Sequence, residues 1–287
     1  MFSTCLWFVG MNDMTYSGRP MHFISGLPRS GSTLLSALLR QNPRFHAHMS
    51  SPLAGLVNDL LNGMGGQNEY SLFISDQQRQ RIMRGLFDQY YGEEYSASVI
   101  FDSNRAWCSR MALLHSLFPS SKVIACVREV PWIIDSIERL IQRNTLSPSV
   151  LFNYQAGGTV YSRTDGVANA DGMLGYPYNA LKEAFYGAHA SRLLLVRYES
   201  LVDNPQAVLD GIYAFIDEPP FKHNADNVQF NAREFDQRAG TPGLHDVMPS
   251  VQAASRSTIL PPDVFARFSR DAFWQHPQHN PHGVKIL

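Results

Sequence analysis

Short apolar runs separated by longer segments with helical spacing are the feature that most limits what this chain can fold into. The runs predict strands over His22–Ser25, Ser98–Phe101, Lys122–Val127 and Arg192–Val196. Between and after them, the recurrence of apolar residues predicts helices over Ser32–Gln41, Leu53–Leu61, Asp76–Tyr91, Ala106–Phe118, Val130–Arg143, Pro205–Ile216 and Asp263–Trp274. Segment 170–190 reads as helical in its second half. Segment 144–168, rich in Ser, Gly, Asn and Thr, reads as a long surface loop. Strands that are apolar throughout, rather than on alternate residues, belong in a parallel sheet covered on both faces. The expectation is therefore an α/β fold with a central parallel sheet and helices on both faces. It forms a single P-loop-like domain over 21–287, after a loose extension over 1–20. Ligands of such sheets bind beyond the carboxyl ends of the strands. The residues following 25, 101, 127 and 196 are thus the ones to inspect.

The first of these stretches is Gly26-Leu27-Pro28-Arg29-Ser30-Gly31-Ser32-Thr33, which opens directly into a helix. Its form, G-x-x-x-x-G-S-T, matches the phosphate-binding loop G-x-x-x-x-G-K-[ST] at both glycines and at the last hydroxyl. Ser32 stands where that loop has its lysine. A glycine-turned loop aims backbone N–H groups at one point, and the helix start adds positive potential. Arg29 adds a full charge. The loop is suited to phosphate or sulfate; the plain alternative is a strand-to-helix turn that needs glycine only for backbone freedom. The missing lysine counts against nucleoside triphosphate hydrolysis, where it reaches the terminal phosphates.

Any such site has to be local. Lys plus Arg is 24 against 25 for Asp plus Glu, a net charge of -1, which excludes holding a nucleic acid polymer by bulk charge. No apolar run approaches the roughly 18 residues of a membrane span. The three cysteines, Cys5, Cys108 and Cys126, form no C-x-x-C pair. That usage fits a reducing compartment, so a cytoplasmic location is expected. His276, His279 and His282 lie among prolines near the end and read as a solvated tail rather than a ligand set.

A second local anion site is expected where the 122–127 strand ends. Arg128 follows it at the sheet's carboxyl edge. On the next helix Ile133, Ile134, Ile137, Leu140 and Ile141 form one apolar stripe, and Ser136 flanks it. Arg139 and Arg143 share that flank. They read as solvated charges, with one of them a candidate to extend the site.

The segment FISGLPRSGSTLLSALL resembles the 5′-phosphosulfate loop of bacterial-type sulfotransferases that use 3′-phosphoadenosine 5′-phosphosulfate (PAPS), and is similar to the loop of tyrosylprotein sulfotransferases. KVIACVREVPWIIDSIERL resembles the same family's second motif, an Arg at a strand end and a Ser eight positions on, here Arg128 and Ser136. LLLVRYESLVDNP is a third match, and GLHDV and RSTILPPDVF resemble bacterial members. The resemblance runs from about residue 21 to about residue 217, with a tail towards 275. It implies PAPS as sulfuryl donor, adenosine 3′,5′-bisphosphate as product, no metal, and a hydroxyl or amine of a small molecule or side chain as acceptor. It also implies that Gly26, Pro28, Arg29, Ser30, Gly31, Ser32 and Thr33 cradle the 5′-phosphate and sulfate, with Arg29 at the bridging oxygen. Arg128 and Ser136 would bind the 3′-phosphate, and Tyr198 would approach the adenosine or serve as packing. Ser255, Arg256 and Ser257 are candidates for a closing loop.

Two positions depart from the family pattern. Ser50 stands where tyrosylprotein sulfotransferases carry a Glu, and no carboxylate lies between Ser25 and Val57. His46 and His48 are the nearest titratable groups and become the candidate bases; in an extended segment they would point the same way. After the Ser98–Phe101 strand, Arg105 stands in for a Lys found in related enzymes, though guanidinium and ammonium differ in geometry. Asp102 is a further base candidate, or a helix-start residue. Tyr70, Tyr90, Tyr91, Phe152, Tyr154, Tyr161, Tyr176 and Tyr178 are candidates to line an acceptor pocket. Two other readings remain open at this stage: a modified P-loop phosphotransferase, and a homologue that binds nucleotide without turnover. The sequence leaves the acceptor and the oligomeric state open.

Overall fold

Each apolar run supplies side chains to both faces of one sheet, which is why the runs do not alternate. A computed structural model describes residues 18–66, 68–92, 97–146, 158–253 and 257–287. Most of the 1–20 extension, Cys5, Phe152, Tyr154, Ser255 and Arg256 lie outside these residues. The elements in chain order are β1 (Met21–Gly26), α1 (Ser32–Leu39), β2 (Phe45–Ala47), α2 (Leu53–Gly63), α3 (Asp76–Tyr90), β3 (Val99–Ser103), α4 (Met111–Leu117), β4 (Val123–Val127) and α5 (Val130–Arg143). They continue with α6 (Val160–Ala168), α7 (Gly175–Tyr186), β5 (Leu193–Arg197), α8 (Tyr198–Asp203), α9 (Pro205–Phe215), α10 (Arg233–Arg238), α11 (Pro262–Phe268) and β6 (Lys285–Ile286).

The strand order is β2-β3-β1-β4-β5-β6, and every neighbouring pair is parallel. Phe23, Ile100, Ala125 and Leu195 point to one face, where they pack with α2 to α7 and α11. Ile24, Phe101, Ile124 and Val196 point to the other, against α1, α8 and α9. A sheet covered on both faces is thus built from the alternate side chains of the same short runs.

Several boundaries differ from the sequence reading. The edge strands β2 and β6 span three and two residues, too short to carry a pattern of their own. Segment 144–168 is not all loop. Its end forms α6, whose start is capped by the Thr159 hydroxyl accepting the Ser162 N–H. Arg163 on α6 pairs with Glu138 of α5, a long-range contact that composition does not reveal. The expected helix over Ala106–Phe118 begins with a 3-10 turn, Arg105–Arg110, capped by the Asn104 side chain. The last predicted helix stops at Phe268, before a separate turn at Phe273–Gln275.

His22 sits inside β1, 5 % exposed, and its Nδ1 accepts the Lys122 N–H at 3.2 Å. Burial, reinforced by the Lys122 charge and opposed by Asp217, lowers its pKa to about 4. The unfolded imidazole binds a proton below its ordinary value of about 6.5, while the folded one stays neutral until near 4. Its contribution is therefore intact above about pH 6.5 and is lost as pH falls towards 4, by up to about 3 kcal/mol. Urea midpoints measured from pH 7 to pH 4.5 are expected to fall less steeply in His22→Asn, which keeps an acceptor for Lys122, than in the wild type.

Candidate active site

The 26–33 loop hangs from the end of β4. The Leu27 N–H and the Ser30 Oγ both donate to the Cys126 carbonyl at 2.9 Å. Gly26 (φ +105°) and Gly31 (φ +94°) take left-handed conformations that suit glycine. Arg29 shares the left-handed region at φ +55°, a strained conformation of the kind that clusters at functional sites. Gly31 caps α1 by backbone alone, with no side-chain hydrogen bond and no acid in the first turn. The first amides of α1 therefore face the space above the loop and add a positive dipole end there.

Two side chains tie the loop to the Arg128–Ser136 segment. The Arg29 Nε donates to the Ser136 Oγ at 3.1 Å, and its Nη1 donates to the Leu244 carbonyl. The Arg128 guanidinium lies 4.2 Å over the Tyr198 ring, and its Nη1 reaches towards the Arg29 carbonyl at 3.4 Å. Tyr198 in turn packs on Gly31, where a Cβ would come within 2.9 Å of its ring. Gly31 thus serves close approach as well as turn geometry.

These groups line a cleft of about 650 Å³ at the carboxyl edge of the sheet. The volume is within the usual range for a small-molecule site. Gly26 is not among the lining residues; Pro28, Arg29, Gly31, Ser32 and Thr33 are. Ser30 is buried beneath them. Across from the loop, Ser50 and Arg105 complete the wall. The stretch around Ser50 is pinned to the end of β3, because the Ser51 N–H donates to the Ser103 carbonyl at 3.0 Å and the Asn104 Nδ2 to the Ser51 carbonyl at 3.2 Å. Arg105 lines the cleft, its carbonyl accepts the Ser25 hydroxyl at 3.0 Å, and burial lowers the pKa of its guanidinium.

The two candidate histidines fall elsewhere. β2 ends at Ala47, so the rings do not share a face: His46 lies 5.5 Å from Tyr91 and His48 lies 5.8 Å from Phe230. Neither lines the cleft. Burial, then the neighbouring His48, Arg40 and Arg19, lowers the His46 pKa to about 4. Burial and Arg40 lower that of His48. Asp102 is fully buried on the sheet and accepts the Tyr91 hydroxyl and the Trp107 Nε1–H at 2.6 Å each. Burial raises its pKa, and its side chain is spent on packing that wall. Arg139 is turned onto Asp135 at 3.0 Å and onto the Ser257 carbonyl at 2.6 Å, Arg143 is exposed, and neither lines the cleft. Of the described tyrosines proposed for an acceptor pocket only Tyr176 reaches the cleft, with its hydroxyl 2.9 Å from the Ser109 Oγ.

The segment Leu244–Val247, which carries no expected site residue, folds over Arg29 and lines the cleft. His245 within it is bonded through Nδ1 to Asp236 of α10 at 2.6 Å. The GLHDV pattern was its only signal. Among the described residues no three His, Cys, Asp or Glu side chains converge as a metal site, and no helix is long and apolar enough to cross a membrane.

A family model described as "Sulfotransferase family" matches residues 20–223. Among solved structures, the sulfotransferase domain from the Synechococcus PCC 7002 olefin synthase is 18% identical, with 90% of this chain and 95% of that one aligned and a TM-score of 0.49. The sulfotransferase domain from the curacin biosynthetic pathway is also 18% identical, over 72% and 76% of the two chains, with a TM-score of 0.48. A sulfotransferase from Alicyclobacillus acidocaldarius is 12% identical over 77% and 92%, with a TM-score of 0.45. No curated protein is matched by sequence.

Proposed function

The chain belongs to the sulfotransferase family, and on that basis we propose that it moves a sulfuryl group from PAPS to a hydroxyl or amine acceptor. The observation that carries this reading is the Arg29–Ser136 hydrogen bond. It joins a loop suited to a 5′-phosphosulfate and a motif suited to a 3′-phosphate within one cleft. Arg128, stacked on Tyr198 beside Ser136, is the cation for the 3′-phosphate.

Transfer needs cations and N–H groups held in advance where negative charge grows on the leaving phosphate oxygen. Arg29 and the open amides at the start of α1 have that role, and Arg105 adds a second cation from the opposite wall. Ser32 in place of the P-loop lysine removes the group that a triphosphate site relies on. Titration with adenosine 3′,5′-bisphosphate and with ATP plus Mg²⁺ tests the donor class. Tighter binding of ATP would favour a phosphotransferase and sink this proposal. Binding of the bisphosphate with no turnover of PAPS against any hydroxyl or amine acceptor would favour a non-catalytic homologue.

Arg128→Ala is expected to weaken the bisphosphate by about 1.5–3 kcal/mol, the worth of a charge-assisted hydrogen bond, and to leave AMP nearly unaffected. Calorimetry on both nucleotides checks this, since an equal loss for the two would remove Arg128 from the 3′-phosphate.

A further inference from the structure

We infer that His245, held by Asp236, is the base that deprotonates a hydroxyl acceptor in this cleft, an inference that rests on the donor reading above. The geometry has three parts. The Asp236 side chain is 1 % exposed and uses both oxygens on this one residue: Oδ1 faces the His245 Nδ1 at 2.6 Å, and Oδ2 accepts the His245 N–H at 2.9 Å. A carboxylate on Nδ1 fixes that nitrogen as the proton donor and leaves the Nε2 lone pair as the acceptor. Among the described residues Nε2 makes no hydrogen bond. The side chain is 14 % exposed, and the residue lines the cleft.

The second part is proximity to the cation of the transfer step. Arg29 donates to the carbonyl of Leu244, the residue immediately before His245, so base and cation are joined through one peptide. The third is rigidity. Asp236 lies on α10, and the chain returns from it through a tight turn in which the Thr241 N–H donates to the Asp236 carbonyl at 2.9 Å. Gly243 (φ +84°) allows the reversal. A buried carboxylate on one ring nitrogen, with the other nitrogen left open on a residue that lines a cleft, is the base-and-orienter arrangement used to activate a hydroxyl.

The step balances without a further reactant. Nε2 takes the acceptor proton as the acceptor oxygen bonds to sulfur. The bond from sulfur to the phosphate oxygen breaks, and its electron pair stays on that oxygen beside Arg29. The proton leaves His245 for solvent once the product has gone. Among the described residues, the charged and titratable groups near His245 are Asp236 from α10, paired with its ring, and His48 from beyond β2, with Asp246 next to it in the chain and Arg29 bound to the carbonyl of the preceding residue.

The test uses the full chain with PAPS and two acceptors, phenol and 4-nitrophenol, the second of which ionises near neutrality without help. In His245→Gln, transfer to phenol is expected to fall by about 10²-fold or more and transfer to 4-nitrophenol by much less. The acid limb of the wild-type pH–rate profile with phenol should flatten, and affinity for adenosine 3′,5′-bisphosphate should be unchanged. Asp236→Asn, which keeps the shape of the orienting group, should show the same acceptor dependence to a smaller degree. Equal losses for the two phenols would make His245 structural, and weaker bisphosphate binding would make it a donor ligand; either overturns the assignment. A wild-type protein that binds the bisphosphate yet sulfates neither phenol also overturns it, and leaves the donor reading standing. Failure to bind the bisphosphate strikes the donor reading itself.

Discussion

Arg29→Ala should abolish sulfuryl transfer, lowering kcat/KM by about 10³–10⁵-fold, the range seen when a cation on a transferring group is removed. The protein should stay folded. Arg29 is only partly buried, and its lost bonds to Ser136 and Leu244 free two acceptors at the wall of an open cleft, where water reaches them. Backbone strain is not relieved by the change, because Ala at φ +55° meets the same steric cost as Arg. Arg29→Lys separates charge from geometry. An ammonium keeps the charge and lacks the fork that reaches Ser136 and Leu244 together, so an intermediate rate is expected. Steady-state assays with PAPS, alongside melting curves, decide the matter. Near-normal turnover in the Ala variant would remove Arg29 from the reaction centre.

Gly26→Ala should be the most damaging change to the fold among the loop glycines, costing more than about 4 kcal/mol. A Cβ at Gly26 would sit 2.2 Å from the Cys126 carbonyl oxygen and 2.5 Å from the Cys126 nitrogen, both backbone atoms of the adjacent strand. That carbonyl is also the acceptor for Leu27 and Ser30, so relieving the clash pulls the loop off β4. The residue's φ of +105° adds strain for any L side chain. Gly55→Ala provides the contrast. Gly55 lies within α2, a Cβ there meets nothing within 4 Å, and the change should be neutral or stabilising by about 0.5–1 kcal/mol. Thermal melts of the two variants should diverge accordingly. A Gly26→Ala protein that melts with the wild type would mean that the loop does not need its present path.

Much of the fold was legible because its signals are local. β1, β3, β4 and β5 fall within one or two residues of the apolar runs, and α5 spans the predicted Val130–Arg143. The turn of the 26–33 loop into α1 was legible for the same reason, since Gly26, Gly31 and the opening of α1 act through backbone conformation along eight consecutive residues. The edge strands were not legible, because three residues in β2 and two in β6 become strands only by pairing with β3 and β5. α6 was hidden by its composition, and its Arg163 finds Glu138 only in the folded chain.

The proposed base is the sharpest case. His46 and His48 were near the loop in sequence, yet β2 ends between them and neither ring enters the cleft. His245 is 216 positions from Arg29 in sequence and is brought beside it by the Leu244 carbonyl. Asp135, inside the predicted helix Val130–Arg143, is wholly buried and accepts the Thr258 hydroxyl and the Ile259 N–H, docking the C-terminal segment on α5.

The sequence by itself determined the parallel α/β sheet and the placing of the 26–33 loop, Arg128 and Ser136 at its carboxyl edge. Strand, helix and loop preferences are paid for within a few residues and leave a periodic trace. Only the tertiary structure decided which side chains line the cleft. A charge or an imidazole acts through distance and desolvation, and these depend on how segments far apart in the chain close on one another.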